Sequence, residues 1–539
     1  MVCFYNLNLC LKNNNLIPYF LIILFSIFLS IAYSIEQRAI DDGLILSKII
    51  KYPANHNIMQ IFTNNAWTFL FQFTSTLLKL DFSIMSISRL ILFLSTFFYS
   101  MGVYLTTKSI TSSSILSLLI CFVVITFQKS FGSINYPTMI FSEHTNGMMS
   151  LAIVTFIFGL VANRNFFLAT FFSAFLICIH LTIGLWIFFV LFFSLLISKF
   201  VIKINYDFKP FVYGTSVGFL LVIISFIFFY INLVDLSNEF DSEAYSVYMN
   251  VWEGHRNNFG SLDLNYKYTI LSLILLLLCL FCSKYFNIKK DSKSYLMLLT
   301  VLVSTSLSMI IYFSFKFFPF LFPDIVVRAM PTRFFLMQSV IGIPIIVSFV
   351  FIYIRNILIN KKIDNNYASI VVIFILIIFS INHYEKMITI KDHFLLHVSK
   401  NQKNKKNKIF WQNVKNNHSN GYILTSYETC RQTLRRTLKP VLLCAESIDH
   451  IAYIPKSVSL VKDIIENVFD VPFDDPPIKY AGGLIGDVVK KNYEKKMKDD
   501  WRKISIKFGV TALIVPKDWK ITLKPKFKGN DYIYYSVVN

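Results

Sequence analysis

The sequence predicts an α-helical polytopic membrane protein that ends in a small α/β domain. Three observations carry this reading. The chain is 55% hydrophobic and 17% aromatic with a mean hydropathy of +0.56, far more apolar than a soluble chain of this length. Uncharged runs long enough to cross a bilayer recur along its first 384 residues. Beyond them a Lys/Asn-rich stretch, KNQKNKKNKIF, leads into a segment patterned like a soluble domain. The expected organisation is therefore a membrane domain over 1–384, a basic linker over 385–410 and an α/β domain over 411–539. The formal charge of +21 does not indicate nucleic acid, because Lys and Arg gather in short loops and in the last quarter of the chain, while the aromatics fill apolar segments.

Residues 17–34, IPYFLIILFSIFLSIAYS, carry no charge and suit a spanning anchor. They lack an A-x-A-like cleavage site and a strongly basic front, so we read them as retained rather than as a secretory signal. Further runs lie near 90–107, 110–128, 147–163, 165–180, 182–198, 211–233, 268–283, 294–315, 335–354 and 367–382, for about eleven spans. The stretch 165–198 is too long for one crossing and is broken at His180 to Gly184, which predicts a tight helical hairpin. In 64–80, NNAWTFLFQFTSTLLKL, Trp67, Leu70, Phe71, Leu77 and Leu78 stand among polar residues, as in a helix lying in the membrane interface; the alternative is one more crossing, which would invert every later loop.

Orientation follows from the basic residues of short loops. With the N-terminus inside, Lys108, Arg164, Lys199, Lys203, Lys209, Lys284, Lys289, Lys290, Lys293, Arg355, Lys361 and Lys362 share the cytoplasmic side. The longer loops 35–85, 129–146, 234–266 and 317–333 then form one extracytoplasmic face, and an odd number of spans puts the tail on that face too. In the tail, GYILTS, VLLCA, TALIVP and YIYYSVV read as strands, and 456–469 and 488–508 as helices. Cys430 and Cys444 bracket a basic turn there. An oxidising compartment would allow them a disulfide, and free thiols are the alternative.

The outer loops carry the chemistry. EQRAIDDGLILSKIIKYPANH (36–56) sets Asp41 beside Asp42 just past the first span. A hydroxyl attacking an anomeric carbon must lose a proton, and a carboxylate within hydrogen-bond distance can take it. Adjacent side chains diverge, so one acid would serve as base while the other orients it or binds the acceptor or a cation. The alternative is a pair of solvated acids capping the LILSKII helix. Glu143 and His144 stand just before the next span and could complete a polar site or cap a helix. His180 is an ionisable group at membrane depth, where such groups face a cavity or a partner. Trp252, Glu253, His255 and Arg256 cluster in VYMNVWEGHRNNFGS, a composition suited to sugar or phosphate, with a solvated loop as the alternative. Arg328 and Arg333 lie in FPFLFPDIVVRAMPTRF; guanidinium there could neutralise a lipid phosphate in a bidentate fork or snorkel to head groups.

The acidic pair after the first span, the amphipathic segment, the late Pro/Arg loop and the α/β tail together resemble the GT-C class of integral-membrane glycosyltransferases. The chain is most similar to uncharacterised bacterial members, on DDGLILSKIIKYP, on the His255–Arg256 pair and on RRTLKPVLL through FGVTALIVPKDW. The resemblance implies a bacterial plasma-membrane transferase that takes a sugar from a polyprenyl-phosphate carrier and passes it, with inversion, to an extracytoplasmic glycan, lipid or protein. It assigns Asp41 or Asp42 as base, with Arg328 and Arg333 on the carrier phosphate. There is no W-W-D-Y-G-like string of oligosaccharyltransferases, which argues against peptide glycosylation, and no D-x-D to support a metal. Competing functions are a flippase or polymerase for lipid-linked glycans and a non-catalytic membrane scaffold. Charges concentrated at one face, without an internal repeat, disfavour a transporter.

Overall fold

A computed structural model describes residues 16–537 apart from 34, 54–56, 127–145, 205, 235–238, 254–265, 286–292, 324–333, 361–369, most of 372–404, 419, 427–428, 479–483 and 485. The chain divides into two compact units. One comprises Met1–Gln37, Ile84–Ser225 and Leu262–His397; the other comprises Arg38–Ser83, Phe226–Ser261 and Val398–Asn539. The division at 397/398 falls within the stretch read as a linker. Arg38–Ser83 and Phe226–Ser261, which contain much of two of the loops expected outside, group with the tail rather than with the helices that flank them.

The first unit is a helical bundle of a multi-pass membrane protein. Six helices are long and apolar enough to cross a membrane: Leu16–Tyr33, Ile84–Thr111, Leu181–Val201, Lys209–Asn232, Ser294–Phe317 and Val340–Asn360. Among the described residues, shorter apolar stretches lie at Ser114–Ile125, Asn146–Ala162, Phe166–Ile179 and Leu273–Cys282, the last within the helix Tyr266–Tyr285. The expectation of about eleven spans is not confirmed by this count, since a helix of 14 residues such as Phe166–Ile179 reaches only about 21 Å at 1.5 Å per residue. The candidate 367–382 lies mostly outside those residues. The hairpin within 165–198 is present: Phe166–Ile179 ends at His180, and the next helix begins at Leu181.

Packing within the bundle uses small residues where backbones meet. Every residue from Met148 to Ala162 is buried, which makes Asn146–Ala162 the central helix. A Cβ at Gly102 would lie 2.4 Å from the Thr155 carbonyl carbon and oxygen, and Gly159 opposes the Gly102 carbonyl in turn. Only glycine permits that approach, the arrangement by which membrane helices gain van der Waals contact. The Lys209–Asn232 helix buries Phe211, Gly214, Gly218, Val222 and Ser225, a stripe at three-to-four spacing. Val212, Leu220, Ile223 and Ile227 remain exposed on its other side, an apolar surface suited to lipid.

The second unit is built on a four-stranded sheet, β1 Tyr422–Thr425, β2 Val510–Pro516, β3 Pro525–Lys528 and β4 Tyr532–Ser536, in the order β1-β2-β4-β3. β1 pairs parallel with β2, aligning Ile423 with Ala512. β4 is antiparallel to both β2 and β3. Ile423, Ala512, Ile514, Tyr532 and Tyr534 pack against Phe410, Trp411 and Val414 of the Lys408–Asn417 helix to form the core of one face.

Two expectations for this domain change. VLLCA is not a strand; Val441 makes only an isolated bridge to Ile423, because the Leu442 carbonyl turns away to accept from the Asn57 side chain at 2.7 Å. The segment 488–508 forms two helices, Gly486–Lys495 and Lys498–Phe508. The Asp500 carboxylate accepts from the Met497 amide at 2.9 Å and starts the second helix afresh.

Hydrogen bonds knit the loop segments into this unit. Asn65 and Val234 bond reciprocally, side chain to backbone, at 2.9 and 3.0 Å. Trp67 packs edge-on against Phe226, with centroids 5.3 Å apart. The Trp252 indole donates to the Phe473 carbonyl at 2.7 Å and stacks on the Phe473 ring.

Candidate functional site

The acidic pair sits on a short helix, Ala39–Leu46. Ala39, Ile40, Leu44, Ile45 and Leu46 are buried and fix the helix against Phe69–Lys79, the helical part of the segment read as interfacial. Contact is close at Gly43, where a Cβ would stand 2.5 Å from Thr74 Oγ1. The Thr74 hydroxyl in turn lies 3.0 Å from the Ala39 carbonyl. A third helix, Ile58–Asn65, is started by the Asn57 side chain, which accepts from the Met59 amide at 2.9 Å.

The two carboxylates leave the Ala39–Leu46 helix in different directions and meet different partners. Arg435 grips Asp41 in a fork, Nε to Oδ1 at 2.5 Å and Nη2 to Oδ2 at 2.8 Å. Both side chains are buried. Charge-assisted bidentate pairing of this kind fixes orientation as well as charge. Asp42 stays partly open and accepts from the Thr63 hydroxyl at 3.0 Å. Burial, reinforced by repulsion from Asp41, pushes the Asp42 carboxyl up to about 7, against the opposing pull of the Thr63 hydrogen bond and of nearby Arg431. Burial likewise raises the neighbouring Tyr52 phenol, with Tyr422 and both aspartates adding to the rise. A half-buried carboxylate with raised proton affinity, beside one held in an ion pair, can take a proton from a bound hydroxyl.

Neither aspartate takes the side-chain capping position, but both lie where the alternative read from the sequence needs them, at the positive end of the helix. Both lie in the first turn, and the capping position is Arg38, which makes no side-chain cap.

Arg431 and Arg435 are four residues apart on one helix, Cys430–Thr437. Three anchors hold it. Cys430 is disulfide-bonded to Cys444, Leu434 is fully buried, and Gln432 accepts from the Tyr532 hydroxyl of β4 at 2.9 Å. Sequence reasoning missed both arginines and Thr63 as members of the site. The available signal was the basic run RQTLRR set between two cysteines.

Among the other expected residues, His180 belongs to the first unit and caps a helix, its Nδ1 accepting from the Ile183 amide at 3.4 Å. Glu143, His144, His255, Arg256, Arg328 and Arg333 lie outside the described residues. Trp252 and Glu253, read as part of a sugar or phosphate cluster, are buried. Trp252 is spent on Phe473, as above, and Glu253 accepts from the Tyr248 hydroxyl at 3.0 Å. Among the described residues no group of three or more His, Cys, Asp or Glu is placed to hold a metal ion. No family model matches the chain, and no curated protein matches it.

Proposed function

We propose that this protein is a membrane glycosyltransferase of the GT-C kind that moves a sugar from a polyprenyl-phosphate carrier to an extracytoplasmic acceptor, with Asp42 as general base. The supporting observation is the division of labour within the acidic pair. Asp41 is committed to Arg435, whereas Asp42 is half-buried, accepts one hydroxyl hydrogen bond and has a proton affinity raised chiefly by burial.

In this reading the acceptor hydroxyl gives its proton to Asp42 as its oxygen bonds to the anomeric carbon. The bond from that carbon to the carrier phosphate breaks on the opposite face, so the centre inverts and polyprenyl phosphate leaves. Arg328 and Arg333 are proposed to neutralise the departing phosphate. Glu143, His144, His255 and Arg256 line the outer loops on the same side, and the tail lies outside a bacterial plasma membrane. The Cys430–Cys444 disulfide supports that side for the second unit, because such bonds persist in oxidising compartments.

The test is incubation of the purified protein with a panel of polyprenyl-phosphate sugars, following release of the lipid phosphate. One or more donors should be consumed, and Asp42→Asn should slow transfer by about 10²-fold to 10⁴-fold while leaving insertion and yield unchanged. Consumption of no donor by the parent, or full activity in Asp42→Asn, would retire the reading.

A further inference from the structure

The partner of Asp41 comes from 394 residues further along the chain. We propose that Arg435 is the positioning residue of the acidic pair: by holding Asp41 in a fixed, buried ion pair, it sets the orientation and charge of the carboxylate that Asp42 faces. The inference rests on the transferase reading for its kinetic consequence only.

Geometry carries it. A surface arginine on a flexible loop would make a weak, screened pair. Arg435 instead has 5% side-chain exposure and Asp41 has 11%. The arginine's helix is tied at its first residue by the disulfide and through Gln432 to β4. The same disulfide-closed segment also reaches the far side of the pair. Leu442, two residues before Cys444, accepts from Asn57, and Asn57 caps the helix whose Thr63 bonds Asp42. Both partners of the acidic pair are therefore set by one segment of the tail.

Among the described residues, Asp41 lies beside Asp42 on its own helix and is itself paired with Arg435, Arg431 comes from Cys430–Thr437, and Tyr52 comes from the segment that follows the helix. Ile58–Asn65 contributes the neutral Thr63 hydroxyl. The Phe69–Lys79 helix meets this helix with Thr74 and Leu78 at Gly43. Removing one charge from the Asp41–Arg435 pair must then move the proton affinity of Asp42 in a direction set by the charge that remains.

The experiment is an infrared titration of the protonated-carboxyl band in the full-length protein, with the Asp42 component assigned by its loss in Asp42→Asn. Arg435→Gln leaves Asp41 uncompensated and should raise the Asp42 midpoint by about one unit or more. Asp41→Asn leaves Arg435 uncompensated and should lower it by a similar amount. The double variant Asp41→Asn/Arg435→Gln should return toward the parent. Should Arg435→Gln fail to fold, the gap between Asp41→Asn and the double variant still decides the matter, because only the former keeps the buried cation. One common midpoint for parent and variants, or shifts in the same direction for the two single changes, would overturn the proposal. Opposite shifts in proteins that transfer no sugar would leave Arg435 its role and remove the transferase reading. Sugar transfer with unmoved midpoints would do the reverse.

Discussion

The side chain of Asn57 bonds at both ends: its amide nitrogen donates to the Leu442 carbonyl at 2.7 Å, and its oxygen accepts from the Met59 amide at 2.9 Å. One residue thus starts the helix that carries Thr63 and pins it to a strand of chain 385 positions away. Asn57→Ala should lose both bonds and about 1–3 kcal/mol of stability. Asn57→Asp keeps the cap but sets a carboxylate against a carbonyl, so it should recover only part of the loss. Thermal unfolding of the detergent-solubilised protein checks this; equal stability of parent and Asn57→Ala would show that neither bond matters.

The disulfide should matter for the same region. Cys430 and Cys444 are 14 positions apart, and closing a loop of that size restricts the unfolded chain by about 3 kcal/mol. Cys430→Ser/Cys444→Ser is expected to lower the unfolding temperature. It should also loosen Arg435, so that sugar transfer falls more than the unfolded fraction explains. Limited proteolysis across 430–444, read beside a transfer assay, separates the two effects. Unchanged cleavage and activity in the double variant would remove the disulfide from the account.

Gly43 offers a test of the helix contact that positions the acids. Its Cβ space is filled by Thr74, whose Oγ1 and Cβ would lie 2.5 and 2.9 Å away. Gly43→Ala must therefore push apart Ala39–Leu46 and Phe69–Lys79, at a cost of about 1–3 kcal/mol for overpacking. Because the shift carries Asp41 and Asp42 with it, activity should fall alongside stability. A Gly43→Ala protein with parental unfolding temperature and turnover would show that the contact relaxes freely.

The membrane helices were legible because apolar runs announce themselves, as in Leu16–Tyr33 and Lys209–Asn232. The break at His180 was legible too, because the apolar run 165–198 is too long for one crossing. The acidic pair itself was visible as two adjacent carboxylates beyond an apolar run. Its partner was invisible because nothing local to Asp41 names an arginine 394 residues away. Strand β3, PKFK, has alternating exposure and two lysines at the edge of the sheet. Such charge protects an edge from further pairing and also hides the strand from a search for apolar runs. VLLCA misled in the opposite way, its apolar residues being buried by the turn that delivers Leu442 to Asn57 rather than by sheet pairing. Trp252 and Glu253 looked functional by composition, but both side chains bond inside the second unit.

The last prediction concerns pH, and its sign separates a base from a structural acid. The Asp42 carboxyl is pushed from its ordinary value of 3.8 up to about 7 in the folded protein, chiefly by burial. As base it must be ionised, so transfer should rise with pH and level off above about 7. The stability effect runs the other way. A group whose folded value is raised contributes stability that is fully present below its unfolded value and is lost as pH rises through the folded one. The parent should therefore lose stability relative to Asp42→Asn between pH 4 and pH 8, since the amide cannot ionise. The difference in unfolding temperature, variant minus parent, should grow across that window. At pH 8 the inactive variant should be the more stable protein, a combination that loss of a helix cap or of a structural ion pair cannot produce. Paired melting curves and transfer rates from pH 4 to pH 8 settle it: a difference that shrinks with rising pH would mean that the folded protein favours ionised Asp42, and a flat transfer profile across pH 7 would mean that the proton goes elsewhere.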